Sequence, residues 1–282
     1  MNIGDLLSGL AERLSGDWPE LDAELIVAHV LDHPRTWILA HPEIEIAAPQ
    51  LEAIESAVSK LEGGMSLPYI LGHWEFFGLD FAITPDVLIP RPETELLVER
   101  AIAWLQASPE RRTIADIGTG SGAIGITLAV HVPDAYVMGT DISLPALRVA
   151  RGNARKYRVE ARVDFVNCDL LPAHHERLAT DLHFDLICAN LPYIPTRTLK
   201  RLAVYGREPS VALDGGGDGL GPIRRLLSMA PEWLAPGGRI LLEIEATLGV
   251  KALSLAYDCF NQAEIHLHRD LTGRDRLLEI QF

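Results

Sequence analysis

Cysteine is scarce in this sequence, and its distribution excludes two kinds of protein architecture. Only Cys168, Cys188 and Cys259 occur among 282 residues, far apart and without a Cys-x-x-Cys pair. This spacing provides neither a disulfide framework nor a thiolate metal site, so each cysteine is interpreted as a small core residue. The ten histidines are scattered without metal-ligand spacing, and His174 and His175 fall in a predicted loop. The sequence therefore predicts no metal site.

Long hydrophobic runs are also missing. No apolar run approaches the ~20 residues of a membrane helix, and the first residues lack the basic start and apolar stretch of a signal peptide. We therefore expect a cytoplasmic protein that does not associate with membranes, and we expect it to be a monomer.

Basic charge is in short supply, especially near the N-terminus. The net charge is −14, and residues 1–90 contain 15 acidic residues against 3 basic ones, while residues 91–282 contain 24 against 22. Because nucleic-acid binders usually carry a basic stripe, no stable nucleic-acid binding is expected. The acidic first third is either a solvated surface or a docking face for a basic protein.

What is present predicts a globular protein of two domains, since 48% of the residues are hydrophobic and 23% are charged. Residues 1–71 have apolar residues at helical spacing and are expected to form a small helical bundle. Residues 72–90 include HWEFFGLDFAIT, aromatic and β-branched around Gly78, which predicts a β-hairpin linker. Residues 91–282 form the larger domain.

In the larger domain, strand-like and helix-like segments alternate. Seven segments read as strands, in the order TIADIG, AYVMGTD, RVDFVN, FDLICAN, GRILLEIE, AEIHLHR and RLLEIQF. Helices are predicted to begin near Pro92, Gly122, Ser143, Pro222 and Thr247. This alternation predicts an α/β fold with a mostly parallel sheet covered on both faces. Only DLTGRD separates the last two strands, which is too short for a crossover, so they should pair antiparallel.

A glycine-rich segment, ADIGTGSGAIGITLA, follows the first strand of that sheet. Its glycines allow a tight turn and a close approach of a ligand. The segment is predicted to bind a cofactor through Gly118, Thr119, Gly120, Ser121 and Gly122.

Two cofactors compete for this loop. Gly120 to Gly125 satisfies G-x-G-x-x-G, and Asp141 ends the next strand at the ~20-residue distance of a nicotinamide dinucleotide site. We favour S-adenosylmethionine, because Asp116 is placed to meet the ammonium of a methionine moiety and would repel a pyrophosphate. Asp141 would accept hydrogen bonds from a ribose diol with either cofactor. A helix N-cap is the structural alternative for Asp141, and Ser143 is the stronger cap candidate.

The candidate residues follow different strands but should meet at one edge. In open α/β sheets the ligand lies at the carboxyl ends of the strands. We therefore expect the glycine loop to converge there with Asp141, Asp169, Leu170 and Asn190.

The fourth strand ends in ANLPY, whose polar groups suit an NH2 group. The Asn190 side-chain oxygen accepts one hydrogen bond, and the Leu191 carbonyl, aimed by Pro192, accepts another. Tyr193 offers a flat face on which a planar group stacks. Such a grip would orient a side-chain amide or an exocyclic base amine toward a sulfonium methyl. The alternative is a turn residue before proline with Tyr193 in the core.

Four motifs together resemble the release factor glutamine methyltransferases. They are DIGTGSGAIGI, NLPYIP, GLDFAITPDVLIPRPETELLVE and REPSVALDGGGDGL. The resemblance implies a Rossmann-like methyltransferase sheet and transfer of a methyl group from S-adenosylmethionine to the N5 amide of the GGQ glutamine of class-1 peptide chain release factors. It also implies that the N-terminal helices help to recognise the protein substrate.

Residue roles follow from the same motifs. The resemblance implies that Gly118 to Gly122, Asp141, Asp169 and Asn190 bind the cofactor and that Leu170 lies near the adenine. It also implies that Asn190, Leu191, Pro192 and Tyr193 hold the substrate glutamine, with Asn190, Pro192 and Tyr193 as the catalytic group. The family pattern is N-P-P-Y, and Leu191 replaces its first proline. Because the grip needs only the carbonyl of that residue, activity is expected to survive.

Three other functions remain as alternatives. A relative with the same chemistry would methylate a glutamine of a ribosomal protein, although LDGG favours a release factor. An adenine N6 DNA methyltransferase uses a similar asparagine-proline-tyrosine grip, but the acidic charge and the lack of a target-recognition domain disfavour it. A binding module without turnover is disfavoured by Asn190, Tyr193 and the glycine loop. Residues 197–222, with Glu208 and Pro209, are interpreted as a border of the substrate channel or a plain connector.

Overall fold

The computed structural model describes residues 1–172 and 182–282, so the predicted loop that contains His174 and His175 lies outside the described residues. The chain divides into two compact units, Met1–His73 and Trp74–Phe282. Within the described ranges, no helix combines the length and the apolarity that crossing a membrane requires.

The first unit is helical, as its periodicity predicts. Its core contains Ile3, Ile26, Val27 and Val58, none of which is exposed. The helices begin and end at the expected signals, since Pro49 lies in the first turn of the fourth helix and Gly63 caps its end. They are α1 (Ile3–Arg13), α2 (Pro19–Leu31), α3 (Arg35–Ala40), α4 (Ala48–Glu62) and α5 (Leu67–Leu71).

The predicted hairpin is present as β1 (His73–Phe76) and β2 (Leu79–Ala82). Its turn residues Phe77 and Gly78 both have positive φ, as a two-residue hairpin turn requires. The backbone N–H of Ala82 donates to the Asn153 side-chain oxygen at 2.8 Å, which ties the hairpin to a helix of the second unit. The division into residues 1–71, 72–90 and 91–282 remains a proposal about functional domains.

The second unit is an α/β fold around a seven-stranded sheet. Its described elements are α6 (Glu95–Ala107), β3 (Thr113–Ile117), α7 (Ala123–His131), β4 (Tyr136–Asp141), α8 (Leu144–Lys156), β5 (Val163–Asn167), β6 (Phe184–Ala189), α9 (Thr196–Leu199), α10 (Gly221–Met229), β7 (Leu234–Glu243), α11 (Gly249–Cys259), β8 (Glu264–Arg269) and β9 (Asp275–Gln281).

The strand order is β5-β4-β3-β6-β7-β9-β8. Neighbours from β5 to β7 are parallel, and β9 pairs antiparallel with both β7 and β8. The predicted antiparallel pair is therefore confirmed, and the last strand enters the sheet between its predecessors. Strand β3 is buried from Ile114 to Ile117, as expected for a central parallel strand with helices on both faces.

Two boundaries differ from the prediction. Strand β7 begins at Leu234 rather than Gly238, because Leu234 already pairs with Phe184 across an irregularity in the register. A 3-10 turn from Ala246 to Leu248 precedes α11, so the helix predicted from Thr247 begins at Gly249. The other predicted helix starts lie within three residues of the observed ones.

The topology brings three strand ends together. Ile117 at the end of β3 pairs with Thr140 of β4 on one side and with Ala189 of β6 on the other. The residues that follow, Gly118, Asp141 and Asn190, therefore lie side by side at the point where the strand order reverses. This is the position at which open α/β sheets bind ligands.

Candidate active site

The glycine loop turns directly over the ends of β3 and β4. The N–H groups of Gly118 and Thr119 both donate to the Thr140 carbonyl, at 2.9 and 2.8 Å. Gly122 has φ of 85°, and a Cβ there would lie 2.5 Å from Cδ1 of Ile126. This position therefore requires glycine, both for its conformation and for the packing of α7 against the loop.

Asp116 lies behind this loop and not in a ligand site, which corrects the expectation that it meets an ammonium group. Its side chain is fully buried, and its Oδ2 accepts hydrogen bonds from Thr119 Oγ1 at 2.6 Å and from the Gly125 N–H at 2.9 Å. Burial raises its pKa from 3.8 to about 6. Asp116 thus holds the loop against the first turn of α7.

Asp141 takes the position predicted for it at the end of β4. Its Oδ1 accepts from the Ser143 N–H at 2.8 Å, and its Oδ2 accepts from the Gly120 N–H at 2.9 Å. Burial raises the pKa of Asp141 above its ordinary value. Ser143 supplies the N-cap of α8 by accepting from the Ala146 N–H at 3.2 Å. Asp141 is therefore not the N-cap of α8, and its carboxylate lies beside the glycine loop.

A cavity of about 260 Å³ opens at this edge of the sheet. The predicted residues on its wall are Gly118, Gly120, Asp141, Asp169, Leu170, Asn190, Leu191 and Pro192. Thr119, Ser121 and Gly122 are not on that wall, because they are buried in the loop that shapes it.

The same wall contains residues that the sequence motifs did not single out. Ile142 and Val211 are 56% and 55% exposed and give the cavity an apolar rim. The sequence signal for Ile142 is an apolar residue directly after the acid that ends a strand. The other added residues are Asp86, Val87, Leu88, Ser143, Ala146, Ala212, Asp214, Pro222 and Arg225.

Leu170 is held in an uncommon backbone conformation. Its φ is 65°, in the left-handed region that a leucine rarely adopts, and its carbonyl accepts a hydrogen bond from Thr140 Oγ1 at 2.6 Å. Such residues concentrate at functional sites. The neighbouring Asp169 pairs with Arg225 of α10 at 2.6 Å, so its charge is partly neutralised.

A second cavity, of about 130 Å³, adjoins the first. Asn190 and Leu191 lie on the walls of both, whereas Tyr193 lies on the wall of the second only. The rest of its wall is mostly apolar, with Leu88, Val204 and Leu213 among the lining residues, and Arg91 adds one cation.

Hydrogen bonds fix both polar side chains of the ANLPY segment. Asn190 Nδ2 donates to Thr94 Oγ1 at 3.0 Å, and the Thr94 hydroxyl donates to Glu243 Oε2 at 2.5 Å. The Tyr193 hydroxyl donates to Glu243 Oε1 at 3.2 Å. Burial raises the pKa of Glu243 from 4.5 to about 7, and it also raises the pKa of Tyr193. The sequence motifs had assigned no role to Thr94 or Glu243.

The glycine-rich segment after Leu213 supports the turn that follows Tyr193. The Ile194 N–H donates to the Leu213 carbonyl at 3.0 Å, and the Gly215 N–H donates back to the Ile194 carbonyl at 2.9 Å. Val211, Ala212 and Asp214 reach the larger cavity, so this region borders the site and is not a plain connector.

Glu208 is only 8% exposed and is not among the residues that line either cavity. It pairs with Arg91 at 2.5 Å and accepts the Ile89 N–H at 3.3 Å. Glu208 therefore does not line a cavity itself, but it holds Arg91, which lies on the wall of the second cavity; its approach to a bound loop stays a prediction.

No group of histidine, cysteine and acidic side chains suited to a metal ion occurs in the two described ranges. The polar side chains that line the two cavities are carboxylates, the amide of Asn190, the hydroxyls of Ser143 and Tyr193, and the guanidinium groups of Arg91 and Arg225.

Known proteins with a similar sequence or fold show the class of the second unit. A family model described as the methyltransferase small domain matches residues 93–204. The fold resembles the 16S rRNA N2 G1207 methyltransferase of T. thermophilus, solved in complex with AdoMet and guanosine, with a TM-score of 0.53 at 20% identity. That match covers 74% of this chain and 49% of the other, and at this identity it shows the fold alone. The second unit is a Rossmann-like methyltransferase domain.

The family follows from closer relatives. A model described as the PrmC N-terminal domain matches residues 5–72. The release factor glutamine methyltransferase of Moorella thermoacetica is 42% identical over 282 residues, which is 98% of this chain and 97% of that protein. The one of Bordetella pertussis is 40% identical, covering 92% of this chain and 93% of that protein. This chain belongs to the release factor glutamine methyltransferase family.

Proposed function

We propose that this chain transfers a methyl group from S-adenosylmethionine to the N5 amide of the GGQ glutamine in class-1 peptide chain release factors. The observation that carries the proposal is the pair of adjoining cavities with Asn190 and Leu191 on the wall of both. The larger cavity holds the methyl donor and the smaller one holds the glutamine, so that the amide and the methyl group meet at these two residues.

The charge of the larger cavity supports a cationic cofactor. Four carboxylates, those of Asp86, Asp141, Asp169 and Asp214, lie on its wall against one cation, Arg225. S-adenosylmethionine carries a sulfonium and an ammonium group, whereas a nicotinamide dinucleotide carries a pyrophosphate that these acids would repel.

The first turn of α7 also disfavours a pyrophosphate. Dinucleotide folds bind it at the helix N-terminus through free backbone N–H groups. Here the Gly125 N–H already donates to the carboxylate of Asp116. The protein's own anion therefore takes the position that a pyrophosphate would need.

Each part of the larger cavity has a role toward the cofactor. Asp141 accepts hydrogen bonds from the ribose hydroxyls, because each of its oxygens keeps a lone pair beyond the bonds to Gly120 and Ser143. The apolar side chains of Ile142 and Leu170 cover the adenine ring. Thr119, Ser121 and Gly122 act indirectly, by fixing the loop.

Asn190, Leu191, Pro192 and Tyr193, called the clamp from here on, determine how the substrate amide is oriented. Among the residues described, none donates a hydrogen bond to Oδ1 of Asn190, whose Nδ2 is bound to Thr94. This oxygen and the Leu191 carbonyl accept hydrogen bonds from the two N–H groups of the glutamine amide. Tyr193 packs against the plane of that amide, and Pro192 fixes the turn. Bound S-adenosylmethionine supplies an electrophilic methyl group, and its transfer leaves S-adenosylhomocysteine.

Positioning replaces a general base in this scheme. The amide lone pair is delocalised, and holding both N–H bonds from one side directs the remaining density toward the methyl group. Orientation of this kind lowers a barrier by up to ~7–11 kcal/mol. The proton leaves the nitrogen after methylation, when it has become acidic.

The charge of the first 90 residues supports a protein substrate with a basic surface, because 15 acidic residues stand against 3 basic ones there. Recognition by the N-terminal helices, a monomeric enzyme and a cytoplasmic location complete the proposal.

Mass spectrometry of the substrate tests the function. A class-1 release factor, a ribosomal protein fraction and an adenine-containing DNA duplex are each incubated with the full chain and S-adenosylmethionine. We expect the mass of one methylene group to be added at the GGQ glutamine and nowhere else. Methylation of the ribosomal fraction or of the duplex alone would refute the proposal in favour of the corresponding relative.

A further inference from the structure

Two buried side chains outside the known clamp motif connect its polar residues. Thr94 ends the 3-10 turn that precedes α6, and Glu243 is the last residue of β7. They are 4% and 2% exposed, respectively. Their sequence separation of 149 residues shows that the fold, and not a local motif, brings them together.

The direction of each hydrogen bond follows from the chemistry of the groups. An ionised carboxylate only accepts, so Glu243 receives the hydroxyl protons of both Thr94 and Tyr193. Because the Thr94 hydroxyl proton is used in the hydrogen bond to Glu243, the Thr94 oxygen can only accept a hydrogen bond from the Asn190 amide. It therefore binds the NH2 end of the Asn190 amide and not its oxygen, consistent with the 3.0 Å contact to Nδ2.

We propose that Thr94 and Glu243 are positioning residues that set the orientation of the Asn190 amide, so that its Oδ1 faces the substrate. The inference rests on the proposed function, in which Oδ1 of Asn190 accepts an N–H of the glutamine amide. In the flipped orientation Asn190 would present an NH2 group to the substrate NH2 group, and the clamp would lose one of its two acceptors.

The ionised form of Glu243 is the one that enforces this direction. A protonated carboxyl donates to Thr94, which then donates to Oδ1 of Asn190 and favours the flipped amide. The charged and titratable groups acting on Glu243 are Arg276, which favours ionisation, and Glu93, which opposes it, together with the Tyr193 hydroxyl. Since burial raises the pKa of Glu243 to about 7, the orientation is enforced more strongly on the alkaline side of neutrality.

The test compares Thr94→Val, which keeps the shape and removes the hydroxyl, with Thr94→Ser, which keeps the hydroxyl. Thr127→Val is the matched control, because Thr127 is also buried and its hydroxyl donates to the Ala123 carbonyl within its own helix. For each variant, kcat and KM are measured with release factor, and the Kd is measured for S-adenosylhomocysteine. Exchange of the Asn190 side-chain amide protons is followed by NMR in the enzyme without ligands.

We expect Thr94→Val to lower kcat roughly tenfold or more, with KM and Kd within about twofold of the wild type, and Thr94→Ser to restore most of kcat. One Asn190 amide proton should be protected from exchange in the wild type and lose its protection in Thr94→Val. A kcat equal to that of Thr127→Val, or an equal loss of cofactor affinity and kcat, would overturn the inference.

Glu243→Gln provides a second variant that keeps the Thr94 hydroxyl and tests the same arrangement should Thr94→Val fail to fold. We expect a lowered kcat that no longer rises between about pH 6 and 8, whereas wild-type kcat rises across that range. An unchanged pH profile contradicts the inference. A wild-type enzyme that methylates no release factor contradicts the proposed function instead, and the NMR measurement still decides the orientation of Asn190.

Discussion

Gly219 offers a sharp test of how the clamp is supported. It has φ of 81°, and a Cβ built on it would lie 2.5 Å from the carbonyl oxygen of Tyr193 and 3.1 Å from Cδ1 of Leu248. The first of these contacts is to backbone, which cannot rotate away as a side chain does. Gly219→Ala should therefore displace the turn that carries Tyr193.

The size of the effect follows from the geometry. Carbon and carbonyl oxygen meet at ~3.3 Å, so the two atoms must separate by roughly 0.8 Å. A left-handed conformation costs an alanine about 1 kcal/mol, and relieving the clash adds to this cost. We expect a loss of about 2 kcal/mol in the free energy of unfolding. A misplacement of ~1 Å costs up to ~100-fold in rate, so kcat should fall by about 10- to 100-fold.

Gly217→Ala is the matched control, because Gly217 lies two residues away in the same segment, is exposed, and a Cβ there meets no atom within 4 Å. Both variants are compared with the wild type in three measurements: methyl transfer to release factor, calorimetric binding of S-adenosylhomocysteine, and urea unfolding. We expect Gly217→Ala to behave like the wild type. Equal kcat values for Gly217→Ala and Gly219→Ala would show that the segment does not hold Tyr193 in place.

Three other perturbations probe the same site. Asn190→Ala should abolish methyl transfer and leave cofactor binding weakened but measurable by calorimetry; retained turnover would remove Asn190 from the mechanism. Leu191→Pro should change kcat by less than about tenfold, since the carbonyl remains; a larger loss in the transfer assay would mean that the turn depends on the side chain. Burial raises the pKa of Glu243 from 4.5 to about 7, so its contribution to stability is complete below about pH 4.5 and is lost as the pH rises through 7. At 1.36 kcal/mol per pH unit this loss is about 3 kcal/mol, and Glu243→Gln should gain that much relative to the wild type in urea unfolding between pH 4.5 and 8; a difference that stays constant with pH would contradict it.

Local signals in the sequence were enough to predict the fold class and much of the larger cavity. Strand and helix periodicity indicated seven strands, and the short DLTGRD connection indicated the antiparallel pair. Because parallel strands end at one edge, the positions of Asp141 and Asn190 followed from the strand assignments alone. The start of β7 did not follow, since it depends on pairing with Phe184 in a neighbouring strand.

The supporting contacts were not predictable, because they depend on where distant side chains meet. An aspartate beside a glycine loop reads as a ligand residue, yet Asp116 turns inward and holds the helix start. Glu208 and Arg91 are far apart in the sequence. They pair only because the fold brings residues 89–94 against the segment that contains Glu208. The same holds for Thr94 and Glu243, whose hydrogen bond connects the side chains of Asn190 and Tyr193.

Leu191 shows that the cofactor loop and the clamp are one packed unit. Its side chain is 4% exposed, and its Cδ2 lies 3.3 Å from where a Cβ on Gly118 would be. The leucine that replaces the first proline of the N-P-P-Y pattern therefore fills the space left free by the first glycine of the loop. A side chain at residue 118 would press on the Leu191 side chain, whose carbonyl is proposed to accept the substrate amide. Glycine is favoured at residue 118 by its φ of 72°, and the short approach to Leu191 shows that the glycine loop packs directly against the segment that begins at Asn190.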